Sequence, residues 1–232
     1  CHDLSHACSI TEPMTNPPDG QYTTYRARLL RPVSAEEVEY RADALIQVDA
    51  NGTITGVDEP GGQEADVDLR PGVLAPGFVD AHIHYPQTRV IGRASGPLLP
   101  WLNETVFPEE ARFGEADYAT LIASEFCREL LAAGTTTAMA YGSSHASASH
   151  SLFVAAERQG LRLLAGPVLM DEGAPEELLV SAPQALEELE ALVDAWDGAA
   201  DGRLQVAVLP RFALTCSEAL LRGAGDLARR LG

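Results

Sequence analysis

Polar and apolar residues alternate in short runs from Tyr22 to about Arg70, most clearly in "YTTYRARLL" and in "ALIQVD-ANG-TITGV". A period of two predicts half-buried strands. Asn51-Gly52 between the last two runs predicts a tight hairpin in which both turn residues take positive φ. The polar stretch 58–66 (DEPGGQEAD) reads as a loop. Residues 22–72 therefore form a small β unit with too few strands to stand alone.

From Val73 the grammar becomes strand and helix in alternation. "VLAPGFVDAHIH" is the first strand, and a long loop, "YPQTRVIGRASGPLLPWLNETVFPEE", follows it. A helix spans about Glu115–Ala133 and is closed by Gly134, a natural residue after a helix end. "TTTAMAYG" is a second strand, with a helix near Leu152–Gln159 closed by Gly160. "LRLLAGPVLMD" is a third strand; the helix after it carries Leu186, Leu189, Leu192 and Val193 on one face. "RLQVAVLPRFALT" and "SEALLRGAGDLARRLG" complete a fourth pair. Four such units predict an α/β protein with a parallel sheet. They occupy residues 73–232, whereas an eight-unit barrel takes about 250 residues. The expectation is the N-terminal half of a (β/α)8, TIM-like barrel. An open half leaves two apolar edges, so another chain or the remainder of a longer protein covers them. Residues 1–21 read as a disordered stretch or extension: the chain opens on Cys1, and its first methionine is Met14.

Composition narrows the class of partner. A formal charge of −18, with 16 scattered arginines and no lysine, argues against binding nucleic acid, which needs clustered basic side chains. No segment reaches the ~18 consecutive apolar residues of a membrane span, and no signal-peptide pattern opens the chain. A small-molecule enzyme of the cytoplasm is the expectation. Cys1, Cys8, Cys127 and Cys216 form no C-x-x-C pair and read as reduced thiols.

Candidate chemistry sits at the end of the first strand. His82 and His84 lie two residues apart and so project from the same side, at the C-terminal end where barrel enzymes place their chemistry. Two imidazoles there supply two corners of a Zn²⁺ or Fe²⁺ site. Two strand-end histidines bonded to loop carbonyls are the alternative that spacing leaves open. Asp80, a further two residues back, suits orienting the strand end or a histidine ring rather than binding metal.

The context "LAPGFVDAHIH" resembles the metal-binding first strand of the amidohydrolase superfamily, whose members set a split β-sandwich beside a (β/α)8 barrel. The likeness implies that residues 22–72 are part of that sandwich. Members with two metals usually bridge them with a carboxylated lysine; the lack of any lysine favours one metal per site, zinc or alternatively iron. Within the superfamily, "HIHYPQ", "PLLPWLNETVFPEEARF", "GTTTAMAYGSSH" and "LPRFALTCSEALL" resemble the guanine deaminase family.

That resemblance implies His82 and His84 as metal ligands, with Gln87, Trp101, Arg211, Phe212 and His145 around a purine. The chemistry agrees. Arg211 can donate to O6 or N7 of guanine, Gln87 can both donate and accept, and Phe212 and Trp101 can form apolar walls. The resemblance places a third histidine, the catalytic glutamate, a fourth histidine and an aspartate on later strands, beyond Gly232. No catalytic residue is therefore expected in this chain. Alone, residues 1–232 are expected to be inactive and to bind metal weakly. Homodimerisation is the family expectation. The competing readings are another heterocycle deaminase or chlorohydrolase, and an inactive scaffold relative.

Overall fold

The computed structural model describes residues 22–93 and 96–231. The expectation for residues 1–21 lies outside them, as does Gly232 with the residues expected after it. The chain divides into two compact units between Pro76 and Gly77.

The first unit is one four-stranded sheet. Its strands are β1 (Thr23–Pro32), β2 (Val38–Val48), β3 (Ile54–Asp58) and β4 (Val67–Leu74), in the order β3-β2-β1-β4. Strands β1 and β2 pair antiparallel, as do β2 and β3, while β4 runs parallel to β1. Leu29, Ala44 and Ile46 make a small core with Tyr25, Val48, Val57 and Leu74. The expected hairpin forms, but its turn is of another type. Among the described residues only Ala200 and Asp201 are non-glycines at positive φ, so Asn51 is not; Gly52 alone takes φ +81°. The turn starts one residue pair earlier. Gly52 N donates to Asp49 O at 3.0 Å, and the Asp49 carboxylate accepts the amides of Asn51 and Thr53, each at 2.9 Å. An aspartate that bonds its own following backbone selects this wider turn over the two-residue one.

In the second unit, β5 (Phe78–His84), β6 (Thr135–Tyr141), β7 (Arg162–Gly166) and β9 (Leu204–Val206) form a parallel sheet in the order β5-β6-β7-β9. Short β8 (Val168–Leu169) and β10 (Leu209–Pro210) pair separately, also in parallel. The third and fourth predicted strands are thus each interrupted. At the first break a Cβ on Gly166 would lie 2.2 Å from the Ala207 carbonyl oxygen, so only glycine permits that approach. The first predicted strand is divided too: Val73 and Leu74 pair with β1, and the barrel-type strand starts only at Phe78. Pro76 has no N–H to give a ladder, and Phe78 N instead bonds Gly134 O at 2.8 Å.

Helices Ala116–Ala132, Ala146–Gln159, Ala182–Trp196 and Glu218–Leu231 follow the strands as expected. The second begins earlier than its apolar residues indicated, because small Ala148 and Ser149 are buried in its first turn. The first buries Ala119, Ile122, Ala123, Phe126, Cys127 and Leu130, a stripe spaced three and four residues apart. That stripe packs with Leu152 and Phe153 on Ala138, Ala140, Leu163, Ala165 and Leu204 of the sheet. On the sheet's other face Thr137, Met139, Tyr141 and Leu164 are only half-buried. Edge strand β5 leaves Phe78 and Val79 each 69% exposed. The expected long loop is largely helical turns, at Tyr85–Val90, Leu98–Trp101, Leu102–Val106, Phe107–Ala111 and Arg112–Gly114. Cys127 and Cys216 are free and buried, as thiols. No helix among the described residues is long and apolar enough to cross a membrane.

Candidate active site

Strand β5 carries the histidine pair beyond an irregularity. Asp80 lies opposite Ala138 and Ile83 opposite Ala140, so three steps on β5 match two on β6. Such a bulge re-aims side chains. The Asp80 carboxylate steadies it, accepting the His82 amide at 3.0 Å. Both imidazoles nevertheless point the same way: their centroids are 5.2 Å apart, and the Tyr141 ring lies 4.8 Å from each. Tyr141 is the register partner of His84 on β6.

His84 is suited to ligate. Burial, reinforced by the charges of Arg211 and His82, pushes its pKa down to about 4. At neutral pH the ring is therefore uncharged, as a metal ligand must be. Its Nδ1 is buried without a hydrogen-bond partner. No group of three His, Cys, Asp or Glu that could hold a metal ion occurs among the described residues. The residues present fit a metal site as two of its ligands. The third histidine and the catalytic glutamate, expected beyond Gly232, lie outside the described residues.

Two of the predicted substrate residues, Arg211 and Gln87, converge on a side chain the sequence did not single out. Arg211 follows β10, its amide bonded to Leu169 O at 3.2 Å. Its guanidinium pairs with Glu110, 101 residues earlier, and the two side chains are 3% and 0% exposed. Gln87, in the turn after β5, donates from Nε2 to the other Glu110 oxygen at 3.5 Å. Burial pushes the Glu110 carboxyl above its usual range, with Arg211 and Gln87 pulling the other way. Arg211 Nε is buried with no partner. The guanidinium lies 5.2 Å from the Phe107 ring and 5.7 Å from that of Phe212, itself 43% exposed.

Trp101 packs on a cluster of Leu102, Val106, Phe107, Val168, Met170 and Leu178, against which Tyr141 also packs. Its indole N–H is buried and unpartnered. His145 stands at the N-terminus of the Ala146–Gln159 helix, with its ring 3.3 Å from where a Gly114 side chain would begin. Burial lowers its pKa, opposed by the charge of Glu188 and by the Ala111 backbone, and its Nε2 is buried with no hydrogen-bond partner. Glu110, Tyr141 and Phe107 are the site's neighbours that sequence reasoning passed over. Tyr141 alone had a usable signal, as the last residue of a strand parallel to the histidine strand.

Residues 73–232 match the model of the amidohydrolase family, and the chain belongs to that family. A probable guanine deaminase of Deinococcus radiodurans is 47% identical over 160 residues, which are 69% of this chain and 36% of that protein. The solved E. coli guanine deaminase superposes with a TM-score of 0.83 at 33% identity, covering 90% of this chain and 51% of that one. A guanine deaminase from C. acetobutylicum, solved with guanine bound in its active site, gives a TM-score of 0.83 at 26% identity, with 90% and 51% covered. The chain thus spans about a third to a half of the length of these relatives. Over that length its fold is theirs, an α/β half of a TIM-like barrel preceded by a small β unit.

Proposed function

We propose that the protein of which this chain is part deaminates guanine hydrolytically, giving xanthine and ammonia. Water oxygen bonds to C2 of the purine as the C2–amine bond breaks. The observation that carries the reading is the convergence at the strand ends. A neutral His84 whose Nδ1 has no hydrogen-bond partner stands beside His82 and within the electrostatic reach of Arg211, a buried arginine with an unused donor. Similarity to guanine deaminases supports the choice of substrate.

In this reading His82 and His84 hold one Zn²⁺ together with ligands from outside the described residues. The chemistry such an ion supplies is acidification of water near neutral pH. Arg211 donates to O6 or N7 of guanine, as guanidinium groups do elsewhere. Gln87 reads the neighbouring ring edge, and Phe212 and Trp101 wall the base. His145, just past β6, contacts the substrate or closes the loop over it. The working form is a homodimer.

Full-length protein supplied with guanine, adenine, cytosine and a chlorotriazine tests this. Ammonia and xanthine should appear in equal amounts from guanine alone. Release of ammonia or chloride from another heterocycle, with guanine untouched, overturns the reading.

A further inference from the structure

We infer that Glu110 is a positioning residue that sets which purine edge the site accepts: a 6-oxo edge over a 6-amino one. This inference rests on the guanine reading above and deepens it. Glu110 acts through the two readers whose side chains its carboxylate bonds, Arg211 and Gln87.

One carboxylate serves two readers. One oxygen of Glu110 takes Nη1 of Arg211, and the other faces Nε2 of Gln87 at 3.5 Å. An arginine has five N–H donors in a rigid fork, and fixing one edge aims the rest. Here Nε is left buried and unpartnered, an orphan donor of the kind native proteins rarely keep without a use. Phe107 and Phe212 flank the guanidinium and limit its swing.

The bond to Gln87 fixes polarity as well as place. With its NH₂ turned to Glu110, the amide keeps its carbonyl oxygen as the end left to accept a bond from a ligand. The pair Arg211 and Gln87 then offers donors beside an acceptor. Guanine shows the complementary edge, an O6 acceptor beside an N1–H donor. A 6-aminopurine shows a donor beside an acceptor, and each group would meet its like. Sites built this way reject the wrong isostere strongly, because buried polar groups are left unpaired. Burying two charges costs several kcal/mol before pairing is counted, so the pair is a poor device for stability alone.

The test uses the full-length enzyme and two substrates with the same reacting 2-amino group, guanine and 2,6-diaminopurine. Glu110→Asp keeps the buried charge pair while withdrawing the carboxylate by one methylene. Glu110→Gln keeps the shape and removes the charge. Glu110→Gln should lower the guanine preference, as a ratio of kcat/KM values, by about 10- to 100-fold, the worth of a hydrogen bond to a charged group. The loss should appear in KM for guanine with kcat nearly unchanged, the mark of lost binding common to ground and transition states. Glu110→Asp should melt near the wild type and still lose part of the preference. A folded Glu110→Asp enzyme with unchanged preference and unchanged KM overturns the inference and makes Glu110 a structural residue. Should Glu110→Gln fail to fold, Glu110→Asp decides alone. Wild-type enzyme that leaves guanine untouched overturns the parent reading, and this inference with it; wild-type turnover with unaltered variants overturns this inference only.

Discussion

The ring of Tyr141 stacks on that of His84, with centroids 4.8 Å apart and planes at 19°. The contact joins the ends of two neighbouring parallel strands, and His82 closes a three-ring group at 4.8 and 5.2 Å. Aromatic contacts of this kind are worth about 0.5–1.5 kcal/mol beyond burial. Removing the ring frees His84 to rotate on its strand end. Tyr141→Ala in the full-length protein should weaken zinc binding by up to about tenfold, and Tyr141→Phe should bind as the wild type does. Competition against a chromophoric chelator measures both. Equal losses in the two variants would mean that the phenol oxygen, not the stack, matters.

Between His84 and Gln87 lies the anchor that holds both in place. Tyr85 is fully buried, its hydroxyl donates to Ala119 O at 2.5 Å, and its ring meets Phe113 edge-on at 4.9 Å. Tyr85→Phe should cost about 1 kcal/mol, the net worth of one hydrogen bond. Tyr85→Ala should cost about 3–5 kcal/mol, as large aromatic truncations in cores do. Urea midpoints measure both. A Tyr85→Phe variant as damaged as Tyr85→Ala would show that the hydroxyl, not the packed ring, is the anchor.

What the sequence made legible follows from locality. Helix stripes such as Ile122, Phe126 and Leu130 repeat within a few residues, and the pairing of His82 with His84 needs only the period of a strand. The interruptions of the third and fourth strands were not legible, because they depend on close approaches between strands, as at Gly166 and Ala207. The break at 75–77 hid inside an apolar run that serves two units. Glu110 was invisible for the same reason. Its meaning comes from Arg211, 101 residues away, and nothing in "FPEE" separates it from its neighbour Glu109. Arg211 and Gln87 were found by resemblance; that they share a carboxylate is a tertiary fact.

Acid should loosen the first unit. The Thr24 hydroxyl and amide donate to the Asp66 carboxylate at 2.7 and 2.8 Å, and these bonds hold its pKa below the usual range. Asp43, bonded to Arg26, and Glu39, bonded to Arg41 and Arg31, are lowered likewise. For carboxyls with depressed folded-state values, the stabilisation is fully present above the unfolded values of about 4. It is lost as pH falls through the folded values below that. Amide exchange across β1 and β4 should therefore accelerate as pH falls below about 4, beyond its intrinsic pH trend. Asp66→Asn should show faster exchange at neutral pH and a smaller further change in acid. An acid response of full wild-type size in Asp66→Asn would remove Asp66 from the account.

Zinc binding separates what these residues do from what they need. Structural and catalytic zinc sites take at least three protein ligands, and among the described residues His82 and His84 have no third His, Cys, Asp or Glu grouped with them. At His82 and His84 the 232-residue chain should therefore bind Zn²⁺ far more weakly than the full-length protein does, and it should show no turnover of guanine. His84→Ala should abolish site-specific binding in both. His82→Ala should do the same, because a single remaining imidazole is no better than a surface histidine. The decisive comparison is a chelator competition on both proteins with both variants. Tight stoichiometric zinc in the 232-residue chain that survives loss of His82 would place the ion on other residues and detach the histidine pair from metal chemistry.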